Sequence, residues 1–187
     1  MKLYPSSSAF AQLEFGGTEK AIVARVVSDT ITLLDSRSDS ESTDPLAKLV
    51  GIEDRERPTD PALLRLLPDA DPENPEASAE FRRYTENDIR EGKIANLQTI
   101  LFTLSKTSPA EIGRDEAHAW MIGLTDVRLV ISSRLGIVTE DDMQQLYDRE
   151  DHLDGNDSAL LSIYDFLSWV QERFTELFMN QLDGDSE

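Results

Sequence analysis

Apolar positions along the chain repeat mostly at helical spacing. From Glu19 to Leu34 they fall at Ile22, Val23, Val26, Val27, Ile31 and Leu34, which predicts a helix, although the β-branching keeps a strand pair as a rival. Asp44-Pro45 and Asp60-Pro61 each put a capping residue before a first-turn proline, predicting short helices near 45–51 and 61–67. A helix is expected over 76–84. Another should start at Thr85, where Asp88 mimics a capping box, and run to about Ser105 along Ile89, Ile94, Leu97, Ile100, Leu101 and Leu104. The stretch from Asp115 to Leu135 is apolar nearly all round, with Trp120, Leu124, Val127 and Ile131 on one face and Ile122, Leu129 and Val130 on the other. It should be the central, buried helix, stopped by Gly136. Thr139 caps a helix to about Tyr147. The last helix runs from about Ala159 to Leu182 on a stripe of Leu160, Ile163, Leu167, Val170, Phe174 and Leu177. AFAQLEF (9–15), partly alternating and closed by Gly16-Gly17, suggests one short strand.

These elements define a fold class: mostly α, a single helical-bundle-like domain over 1–187 of about six to seven helices, with a short N-terminal β element. The Ser-rich stretch 36–44 is expected to be a mobile polar loop, and 183–187 a frayed acidic tail. The 187 residues suffice for one ordinary domain, and 39% apolar content suffices for a core.

Charge narrows the possible partners. With 18 basic and 37 acidic residues the net charge is −19, which argues against direct DNA binding and against anionic lipid. The distribution is uneven: residues 81–138 are nearly neutral, whereas residues 139–187 carry 14 acids and two bases. That acidic third is either a solvated face, or a docking surface for a basic protein or a mimic of nucleic-acid charge. No apolar run approaches the roughly 20 residues of a membrane span, and MKLYPSSSAF lacks the apolar core of a secretory signal, so a cytoplasmic location is expected.

Most catalytic chemistries find no footing. Cysteine is absent, which removes disulfides, thiolate metal sites and thiol switches from this chain. The histidines are His118 and His152, and neither lies near a nucleophile-elbow pattern. Asp115 and His118 stand at i and i+3, but a helical di-iron site needs a second such unit. The stretch 150–161 has Gly155 in the sixth position of a calcium loop but Leu161 where the bidentate Glu belongs. No glycine pattern forms a phosphate cradle. No cofactor, metal or catalytic residue is therefore expected, and the chain reads as non-enzymatic.

The charges that call for an explanation lie in the apolar middle. Arg82, Arg83, Arg90, Arg128 and Arg134 all fall there, and Asp126 and Arg128 flank Val127 on the most apolar helix. Such charges must be paired. The structural reading is inter-helical ion pairs of Glu80 or Asp126 with these arginines, Arg128 included; the functional reading is an Arg-lined anion pocket. On the last helix, Phe166 and Trp169 form a second stripe. They are either wedged into the core or part of an association surface, for a homodimer or another protein.

DPALLRLLPDA (60–70), EFRRYTENDIREGK (80–93), W-x-x-G-L-T-D-V-R-L-V (120–130) and SRLGI (133–137), in that order, resemble one actinobacterial domain family of unknown function. Its gene often lies beside that of the Clp protease adaptor. One branch comprises oxidative-stress regulators of the AosR type that act with an extracytoplasmic-function sigma factor. The resemblance covers about 18–182 and implies a regulatory module that binds a sigma factor or RNA polymerase. Asp126, Arg128 and Leu129 match the family pattern, whereas Thr125 stands where Asn is common. The cysteine pair of the regulator branch has no counterpart, so its thiol switch does not carry over. A small-molecule sensor or enzyme with a pocket near Arg128, and a structural homo-oligomer, are the competing readings.

Overall fold

The computed structural model describes residues 1–36 and 57–184. The loop expected over 36–44 (beyond Ser36), the helix expected near 45–51 and the end of the 183–187 tail lie outside them. The described chain is mostly helical, with one small sheet, as the patterning predicts.

The sheet has three strands, β1 (Lys2–Pro5), β2 (Ala11–Glu14) and β3 (Ala110–Ile112), in the order β1-β2-β3, all antiparallel. Leu3 pairs with Leu13, Ala11 with Ile112 and Leu13 with Ala110. Alternation turns Ala11, Leu13, Ala110 and Ile112 inward, all buried. The patterning pointed to β2 alone.

Helix α1 (Gly17–Asp35) settles the Val-rich segment as helix: Val23, Val27, Thr30 and Leu34 form one buried stripe, and tertiary burial outweighs β propensity. Its cap is Gly16, whose N–H donates to the Glu19 carboxylate at 2.8 Å. Helix α2 (Pro61–Leu66) starts as expected, with Asp60 accepting from the Ala62 N–H at 2.8 Å.

Helix α3 (Pro75–Ser105) is a single 31-residue rod, about 46 Å long. The break expected at Thr85 is absent. No Gly or Pro interrupts 76–91, and the Thr85 hydroxyl donates back to the Phe81 carbonyl at 2.8 Å instead of capping a new start. The true cap is Asn74, which accepts from the Ala77 N–H.

Helix α4 (Arg114–Arg134) is the buried centre, packed against α1, α2, α3 and the last helix. Trp120 is fully buried and stacks on Phe174 at 5.5 Å between ring centroids. Gly123 lets α3 come close: a Cβ there would lie 2.7 Å from Ile100 Cδ1. Gly136 ends the helix region with φ of 71°. Helix α5 (Glu140–Asp148) is capped by Thr139, and a 3-10 turn follows over Glu150–His152. Helix α6 (Gly155–Gly184) begins four residues before the expected Ala159, since the Asp154 carboxylate accepts the N–H groups of Asn156 and Asp157.

Candidate functional site

Three arginine-bearing regions are the places where this fold could do chemistry or recognise a partner. The first is the inner face of the N-terminal half of α3. Arg82, Glu86 and Arg90, four residues apart, share one face of α3 and are all buried despite being ionisable side chains. Arg82 Nη1 donates to Glu86 Oε2 at 2.9 Å and Nη2 to Asp69 Oδ1 at 2.5 Å; Arg90 Nε donates to Glu86 Oε1 at 2.8 Å. The other Asp69 oxygen takes Arg57 at 2.8 Å, and Arg90 Nη1 reaches the Leu34 carbonyl at the C-terminal end of α1, the negative end of that helix dipole. The result is a row of alternating charges joining α1, α3 and the turn after α2. Sequence reasoning named the arginines but missed Glu86 and Asp69. The Arg-x-x-x-Glu-x-x-x-Arg spacing was the available signal for Glu86; nothing local marks Asp69.

One turn further along α3, Lys93 meets Asp126 of α4 at 2.6 Å, which joins two of the sequence stretches that carried the family resemblance. Asp126 therefore pairs with a lysine, not with an arginine as expected. Its Oδ2 is buried without a hydrogen-bond partner, and burial pushes the carboxyl above its ordinary range despite the lysine. Glu80 is exposed and ion-pairs with none of the described residues, and Arg83 is exposed as well. Arg134 is bound to Asp60 at 2.8 Å, so it ties α4 to the cap of α2; this and the helix-cap hydrogen bonds hold Asp60 below the usual carboxylate range against the opposing effect of burial.

Arg128 corrects a second expectation. It has no carboxylate partner among the described residues. Nη1 donates to Gln171 Oε1 at 2.6 Å, Nη2 to the Tyr164 hydroxyl at 3.0 Å, and the guanidinium lies 4.9 Å from the Tyr164 ring centroid. Neutral oxygens and a π face from α6 take the place of an anion. Nor do the arginines converge on one anion pocket. Arg82 borders a groove of about 210 Å³ between the turn after α2 and α3; Arg134 lies at a cavity of about 480 Å³ walled by Val26, Leu33, Val127, Val130 and Leu160; Arg128 lies at an open groove of about 590 Å³ along α6.

That last groove also holds Trp169, 41% exposed, flanked by Asp165 and Glu172. Phe166 is half-buried against the core and stacks beside Trp169 at 6.3 Å. The second stripe of α6 is therefore split between core and surface. The Tyr147 hydroxyl donates to Asp165 at 2.5 Å, and this bond to a carboxylate pushes the phenol up to about 12. His118 is exposed, and among the described residues no group of three or more His, Asp or Glu is placed to hold a metal ion. No helix among them is long and apolar enough to cross a membrane.

Comparison with known proteins places the chain. No solved structure matches it. Proteins named oxidative stress regulator AosR from Mycobacterium bovis and from Mycobacterium tuberculosis are each 28% identical over 179 residues, 86% of this chain and 78% of theirs. A relative from Mycobacterium leprae is 31% identical over 140 residues, 66% of this chain and 63% of its own length. The family model described as "Domain of unknown function (DUF2017)" matches residues 6–178, from the loop before β2 to near the end of α6, so that the chain belongs to the DUF2017 family.

Proposed function

We propose that this chain is a non-enzymatic, cytoplasmic regulatory module that acts by binding another protein, with a sigma factor or RNA polymerase as the target. The observation that carries the reading is the extent of the similarity: it spans 86% of this chain and 78% of relatives that bear a regulator's name. A net charge of −19 supports a protein target over DNA, and an acidic third with an exposed tryptophan supports docking on a basic surface. The regulation uses no thiol of this chain, which has no cysteine.

Size-exclusion chromatography of the purified protein with purified RNA polymerase core, and with each extracytoplasmic-function sigma factor of the same host, tests this. Co-elution with one of them is the expected result. Failure to bind any of them would overturn the reading.

The cavity of about 480 Å³ between α1, α4 and α6 favours a second reading, a small-molecule sensor. Under it, native mass spectrometry of the protein from its host would show a retained metabolite.

A further inference from the structure

Helix α6 packs one side on the core, where Leu167, Val170 and Phe174 are fully buried. Its other side presents a different set at helical spacing. Asp165, Ser168, Trp169, Glu172 and Thr175 fall on one face and line the open groove of about 590 Å³. An indole left 41% exposed, on a helix whose core contacts are made by Leu167, Val170 and Phe174 on its opposite side, is surplus to the fold.

The groove is held in shape. Phe166, anchored against the core, stacks beside the Trp169 ring. Asp165 is held by the Tyr147 hydroxyl, which donates to Oδ1 and leaves Oδ2 free of that bond. Glu172 is exposed and forms no ion pair among the described residues. Among the described residues the cation bordering the groove is Arg128, whose Nη1 and Nη2 are engaged by Gln171 and Tyr164 while its Nε is buried without a partner. An aromatic face thus sits between two carboxylates one turn away on either side.

We propose that this face docks a basic segment of a partner protein, with a partner arginine laid flat on the Trp169 indole between Asp165 and Glu172. The inference rests on the protein-binding reading above and names its surface. Charge complementarity selects the occupant. Residues 139–187 carry 14 acids and two bases, which attract a cationic segment and repel phosphate, whether of nucleic acid or of lipid. The same field opposes docking of a second copy of this chain face to face. A planar guanidinium stacks on indole and offers hydrogen-bond donors to a carboxylate at its edge, which a lysine ammonium does less well.

The test uses a synthetic amphipathic helical peptide with three arginines on its polar face, and a twin with glutamine at those positions. Binding is read by fluorescence anisotropy at about 0.1 M salt, where long-range steering is damped. The arginine peptide binds the wild type and the glutamine twin does not. Trp169→Ala, which leaves the net charge untouched, weakens binding about tenfold, and Trp169→Phe restores most of it. Glu172→Gln weakens binding more than Asp151→Asn, which removes the same charge from the 3-10 turn. Circular dichroism confirms that each variant keeps its helix content. Equal weakening by Glu172→Gln and Asp151→Asn with Trp169→Ala unchanged would overturn the proposal in favour of diffuse attraction, and so would an absence of peptide binding. Retained binding of polymerase or sigma factor by Trp169→Ala overturns the surface while leaving the regulatory reading intact. Wild type that binds the peptide through Trp169 but binds no polymerase or sigma factor overturns that reading and keeps the surface.

Discussion

Lys93→Met isolates what a buried charge costs in this fold. The substitution keeps the length and the apolar stem of the side chain and deletes the ammonium. Asp126, with a side chain only 3% exposed, then has no cation at 2.6 Å and no hydrogen bond on either oxygen, since Oδ2 already lacks one. Breaking a buried pair from one side costs about 3–5 kcal/mol, because the remaining charge is stranded. The carboxyl can escape by binding a proton. It is already pushed up by burial, opposed by the hydrogen bond and the charge of Lys93, and deleting both opposing effects moves it further up. A carboxyl raised in the folded state contributes stability that is fully present below its unfolded value of 3.8 and is lost as pH rises through the folded value. Lys93→Met should therefore be destabilised by about 3 kcal/mol or more at pH 8 and by clearly less at pH 5. Asp126→Asn in the same background should recover most of the loss at pH 8, because the neutral amide has no charge to strand. Urea unfolding followed by tryptophan fluorescence, in which buried Trp120 reports loss of the core beside the exposed Trp169, measures all three proteins across pH. A Lys93→Met loss below about 1 kcal/mol that does not change with pH would refute the reasoning, since it would mean that Asp126 is solvated or otherwise satisfied.

Three further outcomes follow from the geometry. Glu86→Gln leaves Arg82 and Arg90 facing a neutral amide, and should cost about 3 kcal/mol, a fall in Tm of roughly 6–12 °C by calorimetry. Gly136→Ala meets open space but must hold φ at 71°, so it should cost about 1 kcal/mol in urea unfolding, and Gly136→Asn less. Gly123→Ala drives a Cβ to 2.7 Å from Ile100 Cδ1 and should cost about 1–3 kcal/mol despite better helix propensity; adding Ile100→Val, which removes that methyl, should return most of it.

The elements legible in the sequence are those whose signals are local. Asp60-Pro61 and Thr139 with Asp142 mark helix starts because the capping hydrogen bonds lie within three residues of the cap. The buried standing of α4 follows from its own composition, since a helix apolar on both faces must have neighbours on both. Local signals also misled: Thr85 with Asp88 looks like a cap, yet its threonine is satisfied inside a continuous helix. The strand β3 is three residues long and becomes a strand only by pairing with β2. For the charged residues the limit is the same. The four-residue spacing of Arg82, Glu86 and Arg90 is readable along one helix, whereas Asp69 and Lys93 acquire their partners through tertiary packing. Arg128 ended on Gln171 and Tyr164 because the helix facing it offers a neutral oxygen and an aromatic ring where an anion was expected.

The position of β2 has a kinetic consequence. One of its edges is met by a strand only a few residues away; the other is met by Ile112, about 100 residues later, and Phe10 beside it touches Phe178 and accepts a hydrogen bond from Gln181. Closing a loop of that length costs about 2 kcal/mol more than closing one of ten residues, and the cost falls before the contacts that repay it exist. The sheet should therefore assemble only after α3 and α4 have paired and carried β3 to its place. In pulsed hydrogen exchange during refolding, the amides of Ala11 and Leu13 should gain protection after those of Leu124 and Val127, so that two short strands near the start of the chain report when its distant helices have come together.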